Sequence, residues 1–188
     1  GWDNQGVELF TYLLRSDTAV KYYRRKHSVT DSSAFLQYSD LSPEDLKNVK
    51  AELLKEEDGT YTLKAEKSPT LQLQKAKPNR FGGKVYILMD EKTFSTAAEF
   101  TAAARYYKVG IMVGQETPGA FDGGNGSSFI HLELPYSKIF VGTPLVSYQM
   151  ENGVSKHDGR GTIPDYTVAF TIDDVLQHRD AQLEFVNK

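Results

Sequence analysis

Residues Lys84–Tyr107 read KVYILMDEKTFSTAAEFTAAARYY. Val85–Met89 are a short apolar run stopped by Asp90, the length of a buried strand rather than of a helix, so a strand is predicted over Lys84–Met89. From Ser95 onward Ala97, Ala98, Ala102, Ala103 and Ala104 favour a helix, predicted over Ser95–Tyr107, and their small side chains let it lie close to a sheet. Val109–Val113 then reads as a second apolar strand, followed by the glycine-rich stretch GQETPGAFDGGNGSS. Strand, helix and strand in that order form the unit of a parallel sheet with helices packed on it.

Working outward, strands are predicted at Phe129–Leu134 and Ile139–Val141, and LVSYQM runs into a turn at Asn152-Gly153. GRGTIPDY leads to a strand over Thr167–Phe170, and Thr171-Ile172-Asp173-Asp174 is the capped start of a closing helix. Upstream, Val7, Leu9, Phe10, Leu13 and Leu14 share one face of a helix within Asn4–Ser16. TAVKYYRRKHSV alternates as a strand, which puts Val20 and Tyr22 on one side and Ala19 and Tyr23 on the other. Ser42-Pro43-Glu44-Asp45 opens a helix whose stripe is Leu46, Val49 and Leu53 and which is expected to end near Lys55. A turn at Asp58-Gly59 leads to another strand, and residues 64–83, polar with prolines at 69 and 78, read as an excursion on the surface. The expected fold class is α/β, a mainly parallel sheet with packed helices in a single domain.

Charge and composition narrow the function. With 22 Lys+Arg against 25 Asp+Glu the net charge is −3, so no global field draws the protein to nucleic acid or an anionic membrane. Arg24, Arg25 and Lys26 are the only basic cluster and read as a solvated strand edge. The chain has no cysteine, which removes disulfides, thiolate metal sites and cysteine nucleophiles together. No apolar run reaches the roughly 18 to 20 residues needed to cross a bilayer. There is no HExxH, no phosphate loop of the GxxxxGK[ST] type and no GxSxG elbow, so no metal or cofactor is expected.

Ser95 has two readings. At the head of a helix its hydroxyl can accept from the free backbone donors of the first turn, a cap worth about 1 kcal/mol. The same position suits a nucleophile, because the N–H of Thr96 and the positive helix end would face an oxyanion formed on an attacked carbonyl. Spacing alone favours the cap, since caps are common. A nucleophile also needs a base, and none of the four histidines is obviously placed: His27 is on the early strand, His131 alternates with Ile130 and Leu132 and faces out, His157 is in a loop, and His178 lies near the closing helix.

The order of the motifs adds what spacing cannot. GGKVYILMDEKTFSTAAEF, VGQETPGAF, LPYSKIFVGTPLVSY and GRGTIPDYTVAFTIDDV come one after another from about Gly82 to the end, and this series resembles the catalytic core of the C-terminal processing, or tail-specific, serine peptidases. It is most similar to cell-envelope members from bacteria of the Bacteroides type. The opening GWDNQGVELFTYLL also resembles the segment after the glycine-rich strand end in that family. The resemblance implies a fold of the Clp-protease and crotonase type, built from strand-strand-helix units. It implies that Ser95 is the nucleophile and that the N–H of Thr96 is one half of the oxyanion hole.

The departures are specific. Many members carry a lysine as general base in the loop after the VGxxT strand, and here Ala120 stands in that place; a methyl group cannot take a proton. Other branches use a histidine from a more N-terminal segment, oriented by a carboxylate just before the GxGxxPD turn. Asp158 occupies that carboxylate position, as either an orienter or a turn-stabilising loop residue. The resemblance therefore implies a core that lacks an N-terminal region and any PDZ-type module. Its partners would be a polypeptide substrate and the N-terminal part of the same protein, in the periplasm or cell envelope. A peptide-binding module of the same fold that has lost its chemistry is the alternative.

Overall fold

The computed structural model describes residues 2–28, 36, 38–152 and 159–188. His157, Asp158 and Gly153, all singled out in the sequence, lie outside the described residues.

In chain order the elements are α1 (Asp3–Leu13), β1 (Val20–Lys21), β2 (Tyr23–Ser28), α2 (Pro43–Ala51), β3 (Leu53–Lys55), β4 (Tyr61–Leu63), β5 (Leu73–Gln74) and β6 (Tyr86–Met89). After these come α3 (Thr96–Tyr106), β7 (Ile111–Gly114), β8 (Gly123–Glu133), β9 (Phe140–Met150), β10 (Tyr166–Thr167), α4 (Ile172–Leu176) and α5 (Ala181–Val186). The strand, helix and strand expected from Lys84 onward are present as β6, α3 and β7. They build a three-stranded parallel sheet in the order β10-β7-β6.

The sheet as a whole is not mainly parallel, which corrects the expectation. The larger sheet has five strands in the order β3-β4-β2-β9-β8, every pairing antiparallel, and β1 pairs with β5 in a separate antiparallel ribbon. Glycine hid this from the sequence. Gly123, Gly124 and Gly126 carry no side chain to mark a strand, yet their backbone pairs with Gln149, Tyr148 and Val146 across a bulge before Phe129. The segments expected at Phe129–Leu134 and Ile139–Val141 are thus parts of one long hairpin, with 11 residues in each strand.

Two further differences have local causes. α2 begins with the expected capping box, Ser42 and Asp45 bonding each other's backbone. It stops at Ala51 rather than near Lys55, because Leu53–Lys55 pair with Leu63–Tyr61 instead of continuing the helix. The early strand changes sheets at Tyr22, and the register of β2 on β9 shifts between Tyr23 and Arg25. Alternation is lost there, and Tyr22 and Tyr23 are both buried rather than on opposite faces.

The main core joins α1, β2, α3, the parallel sheet and the end of β9 through Phe10, Tyr22, Tyr23, Met89, Ala103, Met112 and Met150. Burying each large apolar side chain there contributes about 1.5–3 kcal/mol. A smaller cluster packs Leu36 with Ile130 of β8 and Leu145 and Val146 of β9. Within residues 64–83, Thr70 and Leu71 are buried, and the Thr70 hydroxyl meets the ammonium of Lys26 on β2.

Candidate active site

β6 ends at Met89, and the chain turns sharply before α3. Asp90 organises that turn: its N–H donates to Thr93 Oγ1 at 3.0 Å, its carboxylate accepts from Lys92 N–H at 2.9 Å, and its carbonyl accepts from Thr93 N–H at 3.0 Å. The turn delivers Ser95 to the N-cap position of α3 with φ 55° and ψ −136°. A non-glycine residue held there costs on the order of 1–3 kcal/mol and persists only when its surroundings enforce it. The Ser95 hydroxyl makes no capping bond. The Ser95 carbonyl accepts the first bond of the helix, from Glu99 N–H at 3.0 Å. The cap reading of the side chain therefore fails. An exposed hydroxyl stands at a helix head beside the first-turn N–H groups, Thr96 among them, that have no partner within the helix.

Two close approaches set this geometry. A Cβ on Gly6 of α1 would come within 2.8 Å of Thr96 Cγ2, and one on Gly119 within 2.5 Å of Ala98 Cβ, so both α1 and the loop after β7 pass the start of α3 at glycine distance. α1, α3, β2, β8 and β9 then enclose a cleft of about 390 Å³ lined by Ser95, Thr96 and Glu99 on one side and Asn125, Gly126 and Phe129 on the other. Trp2 and Phe129, both largely exposed, are its aromatic rim.

The floor of the cleft is polar and was missed in the sequence. Glu99 is buried, and Tyr23 O–H donates to its carboxylate. Tyr148 lines the same cleft beside Glu99. Burial, with the Glu99 charge second, pushes the phenols of Tyr23 and Tyr148 well above their ordinary value. Lys26, expected on a solvated edge with Arg24 and Arg25, is instead only 4% exposed. Its ammonium meets Asp3 Oδ2 at 2.5 Å and Thr70 Oγ1 at 3.0 Å, and lies 4.3 Å from the centre of the Tyr23 ring. The sheet change at Tyr22 explains the error, because the bulge turns Lys26 inward while Arg24 and Arg25 stay exposed. Glu99 did leave a signal: it is a carboxylate among Ala98, Ala102 and Ala103 on the buried side of α3.

The motifs VGQETPGAF and GRGTIPDY meet beside α3. Thr117 N–H donates to Thr162 O at 3.2 Å, Phe121 N–H to Arg160 O at 2.9 Å and Thr162 N–H to Thr117 Oγ1 at 2.8 Å, and Ala120 bridges Gly161. The Arg160 guanidinium pairs with the Glu116 carboxylate, which also accepts from Gly161 N–H at 2.9 Å. Ala120, where a lysine was sought, thus lies against the segment after Asp158. No histidine among the described residues lines the cleft. His131 is exposed, as expected, with Nδ1 3.1 Å from Asp40 Oδ2. Among the described residues no group of three or more metal-ligating side chains is gathered, and no helix is long and apolar enough to cross a membrane.

The family model described as peptidase family S41 matches residues 1–168. The chain belongs to peptidase family S41. The S41 fold of this chain combines antiparallel and parallel sheets, and the peptidase core expected from the motif order is the core of that family. Among solved structures, the S41 chain is similar to a putative peptidase from Parabacteroides merdae ATCC 43184, with a TM-score of 0.52 and 16% identity over 100% of this chain and 47% of the other. It is also similar to a mutant of CPAF, with a TM-score of 0.51 and 13% identity over 96% of this chain and 39% of the other. The S41 chain thus spans less than half the length of these two structures. No curated protein matches it.

Proposed function

We propose that this S41 chain is the core of a serine endopeptidase that cleaves polypeptides by acyl transfer, with Ser95 as nucleophile and the N–H of Thr96 as one oxyanion donor. The observation that carries the reading is the strained backbone of Ser95 combined with a hydroxyl that caps nothing. Strain of this kind has a use at a nucleophile and none at a cap. The general base is a histidine from a part of the protein that precedes residue 1, with Asp158 orienting it. This is what the motif series favours, with Ala120 standing where a lysine base would be and lying against Gly161.

The rest of the reading comes from the motif series. It favours a Clp-protease and crotonase type of fold, with N-terminal region and PDZ-type module supplied elsewhere in the protein, action on polypeptide tails, and residence in the periplasm or cell envelope. In the cleft, alternation of the ladder fits an extended substrate: Met150 N–H bonds Asp122 O at 2.9 Å, so Gly124 and Gly126 face β9 while Asn125 presents its backbone to the open edge.

The test is labelling of the parent protein and of residues 1–188 by a fluorescent fluorophosphonate, with Ser95→Ala as control. Labelling of the parent alone, abolished by the substitution, is the expected result. A folded parent that is never labelled would leave the inert peptide-binding module as the better account.

A further inference from the structure

Glu99 is buried one helical turn after Ser95, and the acyl-transfer mechanism gives it no role. Two of its bonds act on different parts of the molecule. Its N–H closes the turn on Ser95 O at 3.0 Å, while its carboxylate takes the hydroxyl of Tyr23 on β2, with Tyr148 of β9 beside it in the cleft. No basic side chain among the described residues pairs with it. The two tyrosines are themselves fixed: their rings lie edge to face with centroids 5.7 Å apart, and Tyr23 packs on Tyr22 at 4.9 Å. One residue therefore ties the turn that bears Ser95 to the five-stranded sheet on the far side of the cleft.

We propose that Glu99 is a positioning residue, whose carboxylate, held by the Tyr23 hydroxyl, keeps the first turn of α3 and with it the Ser95 hydroxyl in the geometry needed for attack. The proposal rests on the nucleophile reading of Ser95. A serine with φ 55° relaxes toward ordinary helical or extended backbone if its turn is released. The hydroxyl then moves by about an ångström or more relative to β8 across the cleft, enough to cost a nucleophile much of its rate. The raised phenol pKa of Tyr23 keeps this donor protonated throughout the neutral range.

The experiment is inactivation kinetics of the full-length parent with a fluorophosphonate, resolved into the limiting rate kinact and the apparent affinity KI, together with hydrogen exchange of the peptide that contains the Glu99 amide. Tyr23→Phe removes the hydroxyl and no ring, and Glu99→Gln keeps the side-chain shape. Both variants are expected to lower kinact about tenfold or more with KI unchanged, and to speed exchange at the start of α3, with Glu99→Gln the milder. Unchanged kinact and unchanged exchange in Tyr23→Phe would overturn the proposal, and so would lower stability with kinact intact, which is the mark of a merely structural glutamate. If the parent is never labelled, the nucleophile reading has failed by itself. Exchange then still decides whether Glu99 holds the turn: faster exchange at the start of α3 in Tyr23→Phe supports the hold, and unchanged exchange refutes it.

Discussion

Gly161 and Thr117 approach so closely that a Cβ on Gly161 would stand 1.8 Å from the Thr117 carbonyl oxygen and 2.7 Å from its Oγ1. Neither atom can withdraw easily, since the carbonyl is backbone and Thr117 Oγ1 accepts from Thr162 N–H. Gly161→Ala is therefore expected to destabilise the fold by at least about 2 kcal/mol through overpacking. Urea denaturation checks this, and a variant as stable as the parent chain would mean that the two motif segments are not in contact.

Ser95 and Ser42 offer a matched comparison of two serines at helix heads. Ser42 accepts from Asp45 N–H at 3.1 Å, whereas Ser95 has a strained backbone and no capping bond. Ser42→Ala should cost about 1 kcal/mol and Ser95→Ala less than about 0.5 kcal/mol. Ser95→Gly should raise stability by about 1 kcal/mol, because glycine adopts positive φ without penalty. Thermal melts of the three variants separate the cases, and a Ser95→Gly variant that melts earlier would refute the strain.

Removing the Lys26 ammonium strands a carboxylate. Lys26→Met leaves Asp3 without its cation and removes the ammonium donor from Thr70. The expected loss is about 2 kcal/mol, below that of a fully buried pair because Asp3 is 37% exposed. Adding Asp3→Asn to Lys26→Met should restore about half of the loss, as the unpaired charge is then gone. Strictly additive losses in a double-mutant cycle would show that the two do not interact.

Acid should unfold the protein through its hydrogen-bonded aspartates. Bonds from His131 to Asp40, from Ser42 to Asp45 and from Thr171 to Asp174 hold those carboxyls below the ordinary 3.8. At Asp165 burial acts to raise the value, but bonds from Arg105 and the Met112 N–H outweigh it, and the net shift is also down. Groups lowered in the folded state stabilise it above their unfolded values, and that stability is lost as pH falls through the folded ones. Urea midpoints should therefore be flat from neutral to about pH 5 and drop below about pH 4, and Asp165→Asn should flatten the drop.

Alkali should act through the tyrosines. Burial holds Tyr22, Tyr23 and Tyr148 well above the ordinary 10.0 and pushes Tyr107 up to about 12. Raised values mean stability that is complete below the unfolded pKa and is lost as pH rises toward the folded ones. Ultraviolet titration of tyrosinate should show these four of the 11 tyrosines ionising late and together with unfolding. Smooth titration of all 11 in the folded chain would contradict the burial.

Local patterns carried much of the chain by themselves. A five-residue apolar run, an alanine-rich helix and capping boxes at Ser42 and Thr171 each rest on contacts within a few residues, so β6, α3, β7, α2 and α4 were legible, as was a serine at the head of α3. What Ser95 does with its hydroxyl was not legible, because a cap and a free nucleophile share one local sequence and differ only in φ and ψ set from outside. The antiparallel sheet was hidden for a similar reason, since glycines signal no strand and Gly123–Gly126 become one only when β9 lies beside them. Burial of Lys26 and Glu99 needed the sheet change at Tyr22 and the meeting of β2, β9 and α3, contacts that join residues more than 40 positions apart. Such groups enter a low-dielectric interior only where distant partners satisfy them, and tertiary structure alone brings those partners within reach.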